Sequence, residues 1–503
     1  MIHPVPKQSM QTIRSRSELS REASTRMTAR QTRWFWIALS TVVFLGFVLR
    51  VGGSVGELWL DELWSLVLVA PLTAGSQVFT AINHENNHYL ISLWMWMLGP
   101  DRHWWMYRVP SILAGMGAIW AAIRIGLRQS RATAFVAAVL VSLSYLAVFY
   151  SSEARGYAIA CCMALVGYDC MENYLHVRSW PYAAGYGLAV VIGMLGNLTY
   201  ASIAVALGLW SLTGMLWGER TSKSALQFVG LHAPPVAVLG SLWLVDVRKM
   251  VGGNGPKLGL WSVLSETISY AFGLPGSFAL GGVLVVAVFV FIAWQIVWMV
   301  RSRDLRWTFF AAGLLVAPAA LLIWTGREFL FPRYFLVNLF VLYLLTALAI
   351  GKAWDTHVRI RWLIGGALAA WTLGNLLLSA QLLRVGRGHY KDALEYISAN
   401  TPGGRAKVGS VQDFRSQVLF GYYQKYLPPA QRPEFLTQES VAQLRPEWVL
   451  ATISPYEMPE LPVRIALAPG VEYVLVKQFP SVQLSGFPAG VYQRSDLSGG
   501  AVR

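Results

Sequence analysis

Two carboxylates stand side by side soon after the first apolar run of the chain. In the sequence LWLDELWS, Asp61 and Glu62 follow Glu57 and lie between Trp59 and Trp64. Neighbouring side chains on a helix point about 100° apart, so one acid can face a cavity while the other caps, pairs or meets solvent. Acids at the edge of an apolar segment are costly, which makes this pair the first candidate for proton transfer. The plainer alternative is an interfacial helix with ordinary solvated acids. A second cluster follows in INHENNHYL, where His84, Glu85, Asn86, Asn87 and His88 spell H-E-x-x-H. On an unbroken helix His84 and His88 would share a face as zinc ligands, with Glu85 as the general base for a zinc-bound water. Here two asparagines, poor helix formers, fill the middle, and no obvious downstream acid or histidine completes the set. Hydrogen bonding to substrate or to the loop backbone is the simpler use of these residues.

Cations appear in two later stretches. FYSSEARGYAIA carries Glu153, Arg155 and Tyr157, and GREFLFPRYFL carries Arg327, Glu328, Arg333 and Tyr334. A guanidinium fork matches a phosphate bidentately, and its weak hydration suits a site half in lipid. For any one arginine, snorkelling or a pair with a nearby acid explains as much. The constellation says more than its parts, because acids and arginines from three loops would meet on one face of a membrane.

A membrane is required by the composition. Of the 503 residues 55% are hydrophobic and only 13% charged, and apolar runs of roughly 17 to 25 residues recur from Trp34 to Leu383. A soluble enzyme, a transcription factor and a secreted scaffold are excluded. The formal charge of +15 is a topology signal: seven of the 41 Lys and Arg precede Trp34, and most others sit in short loops. No nucleic-acid partner is expected. Cys161, Cys162 and Cys170 fall inside one apolar run and read as packing residues.

Residues 1–33, basic and rich in Ser and Thr, read as a disordered cytoplasmic arm before an uncleaved signal anchor. Placing the basic turns in the cytoplasm predicts about eleven spans with the C-terminus outside. This scheme needs His88 to Leu98 to lie at the interface, because that run is too short to cross. The first external loop then covers residues 52–107, and GGNGPKLG near Gly252 to Gly259 reads as a lid or turn. Past Leu383 the pattern changes. HYKDALEYISAN has helical spacing, and KVGSV, WVLATI and YVLVKQF read as short buried strands, so residues 384–503 form a small α/β domain on the outer face.

The residues above, taken in order, resemble the GT-C fold integral-membrane glycosyltransferases, especially bacterial relatives of protein O-mannosyltransferases and of aminoarabinose transferases. LWLDELWS is similar to the family's Asp-Glu loop, HENNHYLISLWMWMLG to its His-x-Pro-Pro-Leu-Tyr segment, and YRVPSILAG to its Arg-Leu-Pro-Ser helix start. YSSEARGYAI resembles its Tyr-Ser-x-Glu-Ala-Arg-x-Tyr loop and FPRYFL its Arg-Tyr span, so the likeness covers residues 34 to about 345. Asn86, Asn87 and His88 depart from the Pro-Pro run. The resemblance implies a GT-C-like catalytic domain over residues 34–383 in a bacterial inner membrane. It implies transfer of a hexosyl or pentosyl group from a polyprenyl-phosphate carrier to a hydroxyl of a lipid, glycan or protein on the outer face. It makes Asp61 the general base and Glu62 its partner or orienting group, and sets Arg333, Arg327 and Arg155 at the leaving phosphate. Glu153 then orients Arg155 or touches the sugar, and Tyr157 and Tyr334 flank the substrate. His84, Glu85 and His88 line the acceptor side or hold a divalent metal of the kind some relatives bind. No other cofactor is implied.

Two other classes compete. A zinc-dependent membrane protease would need Glu85 and would be indifferent to Asp61. A transporter would need polar residues deep in several spans, and apart from Asp169 and Asp246 near span ends the apolar runs are nearly free of acids.

Overall fold

The computed structural model describes residues 29–217, 222–252, 255–325, 330–401, 405–454, 456–458, 460–468 and 470–497. Most of the basic arm, Arg220, and Arg327 with Glu328 lie outside the described residues.

Seven helices among the described residues are long and apolar enough to cross a membrane: Gln31–Gly53, Trp104–Gln129, Leu198–Trp217, Ser224–Lys249, Gly281–Arg301, Pro332–Thr356 and the long Val358–Ala399 segment. Arg131–Leu143 and Tyr145–Ser151 make an eighth if counted as one span bent by 56°. Shorter apolar helices stand beside them at Tyr89–Leu98, Trp180–Gly196 and Arg306–Ala320. The expectation of about eleven spans counted shorter runs of this kind. Tyr89–Leu98 rises only about 15 Å, half the thickness of a hydrocarbon core.

Burial separates central from peripheral helices. The apolar window of Pro332–Thr356 is 61% buried, against 11% for Ser224–Lys249. The first therefore lies inside the bundle, and the second offers most of its surface to lipid. Breaks inside the bundle are closed by polar side chains, as a low-dielectric interior demands. At the bend, the Ser144 hydroxyl accepts from Ala147 N (3.3 Å) and the Asn375 carbonyl accepts from Tyr145 N (2.7 Å). At the π turn Ala312–Val316, the Asn338 amide donates to the Gly313 carbonyl (2.7 Å). At the end of the Tyr157–Val177 helix far from Tyr157, Asp169 and Glu172 pair with Arg124, Arg128 and Arg306. The acids near span ends are thus partnered there.

The C-terminal domain is a six-stranded sheet in the order β2-β1-β3-β6-β5-β4. Its strands are β1 Lys407–Ser410, β2 Glu434–Leu436, β3 Trp448–Thr452, β4 Arg464–Ala468, β5 Val471–Phe479 and β6 Ala489–Arg494. β1 runs parallel to β2 and β3, and the remaining pairs are antiparallel. The sequence reading foresaw β1, β3 and β5. The helices Tyr390–Ala399 and Asp413–Tyr423 pack between this sheet and the Leu60–Val69 helix, sharing an apolar core with both.

Arg387, Tyr423 and Glu57 fasten the domain through buried contacts. Arg387, just after the last long helix, donates to the carbonyls of Gly53 (2.7 Å) and Phe149 (2.8 Å) and pairs with Glu153 (3.2 Å). The Tyr423 hydroxyl donates to the Leu58 carbonyl (2.8 Å). Glu57 accepts from Tyr390 N at 2.6 Å and Lys391 N at 3.2 Å, capping the first turn of the Tyr390–Ala399 helix. Burial pushes the Glu57 carboxyl up to about 8, against the lowering pull of those backbone donors. An acid harder to ionise in the folded state than in the unfolded one costs stability as pH rises. This contribution is intact below about 4.5 and lost by about 8. Glu57→Gln is therefore expected to flatten the fall in melting temperature between pH 5 and pH 8, read by thermal unfolding of the detergent-solubilised protein.

Candidate active site

Leu60–Val69 is a ten-residue helix with both acids in its first turn, where they oppose the positive end of the helix dipole. The 100° step between neighbours sends them to different places. Glu62 is fully buried and accepts from Arg108 Nε (2.8 Å) and Nη2 (2.7 Å), Trp59 N (3.1 Å) and Ala154 N (2.6 Å). Arg108, also fully buried, spends its other donors on the carbonyls of Ser54, Gly56 and Glu57. Burial pushes the Glu62 carboxyl up, but Arg108 outweighs it and holds the group below the ordinary carboxylate range. Glu62 therefore ties the first loop to the Trp104–Gln129 helix and to the loop before Tyr157. Its side chain has no lone pair left for orienting Asp61, which was one of its two expected roles.

Asp61 points the other way and is half-open, with 20% of its side chain exposed. Its Oδ2 lies 3.3 Å from Arg155 Nη1 and 3.5 Å from Arg333 Nη1. Both separations exceed the 2.7–2.9 Å of a full charge-assisted hydrogen bond, so the pairs are loose. Arg155 is delivered by the Ser152–Gly156 turn, and Arg333 by the short Pro332–Phe335 turn that opens the Leu336–Thr356 helix. The turn at Gly156 leaves no room for a side chain, since a Cβ there would stand 1.7 Å from the Gly196 carbonyl oxygen. Asn86 ties these parts together. Its amide donates to the Asp61 carbonyl (2.9 Å) and Ser65 Oγ (2.8 Å), and its oxygen accepts from Arg155 Nη1. Sequence reasoning gave Asn86 no such role.

The H-E-x-x-H segment is not helical, which corrects the geometry required for a zinc protease. His84 forms an isolated bridge with Val251, and its Nδ1 accepts from Asn86 N (3.0 Å) while its ring stands edge-on to Trp64 (5.9 Å). Burial lowers the His84 imidazole below its ordinary range, although Glu85 and Asp61 pull upward. Glu85 is half-buried, and its backbone donates to the Val251 carbonyl (3.2 Å), so the start of the GGNGPKLG stretch lies along this segment. Asn87 turns inward and donates to the carbonyls of Val78 and Ile82. His88 opens the Tyr89–Leu98 helix and is buried beside Tyr157, with ring centroids 5.2 Å apart.

The remaining expected residues divide. Tyr157 lies 5.7 Å from the Arg155 guanidinium, and Tyr334 lies 5.8 Å from that of Arg333. Both are in the cluster. Glu153 is fully buried and hydrogen-bonds Arg387 instead of Arg155, with burial pushing its carboxyl up against the pull of Arg387. Arg327 lies outside the described residues. Several side-chain nitrogens of these residues and of the tryptophans flanking Asp61 are buried without a partner among the described residues: Arg155 Nε, Arg333 Nε, His88 Nε2, Trp59 Nε1 and Trp64 Nε1. Such a concentration of unmet donors is rare outside ligand sites.

A resident divalent metal does not fit this set. Among the described residues no three His, Cys, Asp or Glu side chains converge, and two guanidiniums face Asp61. The donors suit an anion.

No family model matches the chain, and no curated protein matches it in sequence. In fold it is similar to ArnT from Cupriavidus metallidurans in the apo state, an aminoarabinose transferase, at TM-score 0.52 and 12% identity over 92% of this chain and 98% of that one. ArnT from the same organism bound to undecaprenyl phosphate aligns at TM-score 0.45 and 12% identity, over 92% and 98% of the two chains. The Archaeoglobus fulgidus oligosaccharyltransferase in complex with Zn and sulfate aligns at TM-score 0.45 and 12% identity, over 83% of this chain and 68% of that one. The chain is a helical, multi-pass membrane protein with the GT-C fold and a small C-terminal sheet domain.

Proposed function

We propose that this protein is a membrane glycosyltransferase that moves a sugar from a polyprenyl-phosphate carrier to a hydroxyl-bearing acceptor. The acceptor is a lipid, glycan or protein on the outer face of a bacterial inner membrane. The observation that carries the reading is Asp61, half-open and loosely held between Arg155 and Arg333. A carrier with an isoprenoid tail stays in lipid, so its phosphate must be met by cations near the interface, where a low dielectric strengthens each contact.

In this reaction the acceptor oxygen attacks the anomeric carbon from the side opposite the phosphate, and Asp61 takes the hydroxyl proton. The bond between the anomeric carbon and the phosphate oxygen breaks, and its electron pair leaves with the phosphate. Arg155 and Arg333 stabilise the growing charge. An incoming phosphate competes with Asp61 for the same guanidiniums, which loosens the carboxylate at the moment a base is needed. His84 and Glu85 stand on the acceptor side, with Tyr157 and Tyr334 along the walls. Residues 34–383 form the catalytic domain and residues 384–503 an extracytoplasmic cover, with the N-terminus in the cytoplasm.

Arg333→Ala is expected to weaken binding of undecaprenyl phosphate by about 10- to 100-fold, the worth of a hydrogen bond to a charged group. The measurement is a binding titration on the purified full-length protein. Failure of the unmodified protein to bind undecaprenyl phosphate would contradict the reading.

A further inference from the structure

His88 is 5% exposed, and its two ring nitrogens are treated very differently. Nδ1 meets the Asn197 amide at 3.1 Å and the Gly196 carbonyl at 3.2 Å. Nε2 is buried with no hydrogen-bond partner among the described residues. A bare polar nitrogen inside a protein forfeits its hydration without a replacement, a burden usually tolerated only where something binds. Two further unpartnered donors lie nearby, Arg155 Nε and Arg333 Nε. Tyr157 joins two of the three, with its ring 5.2 Å from that of His88 and 5.7 Å from the Arg155 guanidinium.

The two partners of Nδ1 ask for opposite tautomers of the neutral ring, and Asn197 favours the one with the proton on Nε2. Its Oδ1 accepts from Thr199 N (2.9 Å) and Thr199 Oγ1 (2.7 Å), and a backbone N–H can only donate, so the amide cannot flip. Its NH2 therefore faces Nδ1, and this contact needs Nδ1 to accept, which puts the proton on Nε2 and leaves the Gly196 carbonyl facing the Nδ1 lone pair. In the other tautomer Nδ1–H donates to the Gly196 carbonyl but meets the Asn197 N–H; only the first tautomer offers an N–H at Nε2, so an acceptor bound there selects it. Burial and the charges of Arg155 and Arg333 lower the pKa of the ring against the upward pull of the Gly196 carbonyl, and the ring is neutral.

We propose that His88 Nε2–H is a neutral hydrogen-bond donor to the carrier phosphate, completing a subsite with Arg155 and Arg333. The inference rests on the transferase reading, and it moves His88 from the acceptor side to the donor side. As the sugar leaves, the carrier phosphate becomes a monoester with three terminal acceptor oxygens, and His88 adds a directed donor to those of Arg155 and Arg333. A neutral imidazole adds a directed contact without a third positive charge that would draw Asp61 into a tighter pair.

The test is a titration of the full-length protein in detergent with two probes, undecaprenyl phosphate and undecaprenol, which lacks the phosphate. His88→Phe should weaken undecaprenyl phosphate about 10-fold while leaving undecaprenol unchanged. His88→Gln, whose amide nitrogen falls near the position of Nε2, should stay within about 3-fold of the unmodified protein for both probes. If His88→Phe binds undecaprenyl phosphate normally while Arg333→Ala loses it, the His88 assignment is overturned and the transferase reading stands. If both His88 variants lose both probes, the residue is structural and the proposal is equally overturned. If the unmodified protein binds no undecaprenyl phosphate, the transferase reading itself fails.

Discussion

Asp61→Asn is expected to reduce sugar transfer by about 100- to 10,000-fold, the usual contribution of a positioned general base. The same variant should accumulate in the membrane at the normal level. Asp61 is half-open, its pairs to Arg155 and Arg333 are loose, and an asparagine fits the same space. Binding of undecaprenyl phosphate should be retained or tightened, because a negative charge facing both guanidiniums has been removed. Loss of turnover with retained binding separates a base from a ligand-holding residue. Normal transfer by the variant would end the assignment of Asp61.

The neighbouring acid should behave in the opposite way. Glu62→Ala leaves Arg108, at zero exposure, with its charge uncompensated and strips acceptors from Trp59 N and Ala154 N. Removing one member of a buried ion pair costs about 3–5 kcal/mol, a large share of the stability of most folds. The expected result is little folded protein: low yield after extraction, early elution as aggregate and a lowered melting temperature. Glu62→Gln keeps one acceptor and should fall between. A Glu62→Ala protein as abundant and stable as the unmodified chain but inactive would instead put Glu62 in the chemistry.

These two residues also show how far the sequence could be read. That Asp61 and Glu62 diverge follows from helix geometry alone. Which of them faces the cavity does not, because Glu62 is claimed by Arg108, 46 positions away, through a contact that only the packed bundle creates. Arg108 stood in plain view in YRVPSILAG without a role, and Arg387 carried no local signal for its pairing with Glu153, 234 positions away. The apolar runs made a polytopic helical fold legible because a membrane constrains length and polarity so strongly. The H-E-x-x-H pattern pointed to a metal because a motif presupposes its helix. In the structure Asn86 and Asn87 spend their amides on neighbouring carbonyls and on Ser65, and the segment stays extended and turned. Of the six strands, β2 has only three residues and lies at the sheet edge, too short for an alternation to register.

The central claim is tested most directly by mass spectrometry of envelope lipids, glycans and membrane proteins from cells carrying the unmodified gene or Asp61→Asn in its place. The account predicts that the variant strain loses one sugar mass from an envelope molecule while the matching polyprenyl-phosphate-linked sugar accumulates, which would name donor and acceptor together. Identical profiles in the two strains, with the variant protein present at its normal level, would contradict it.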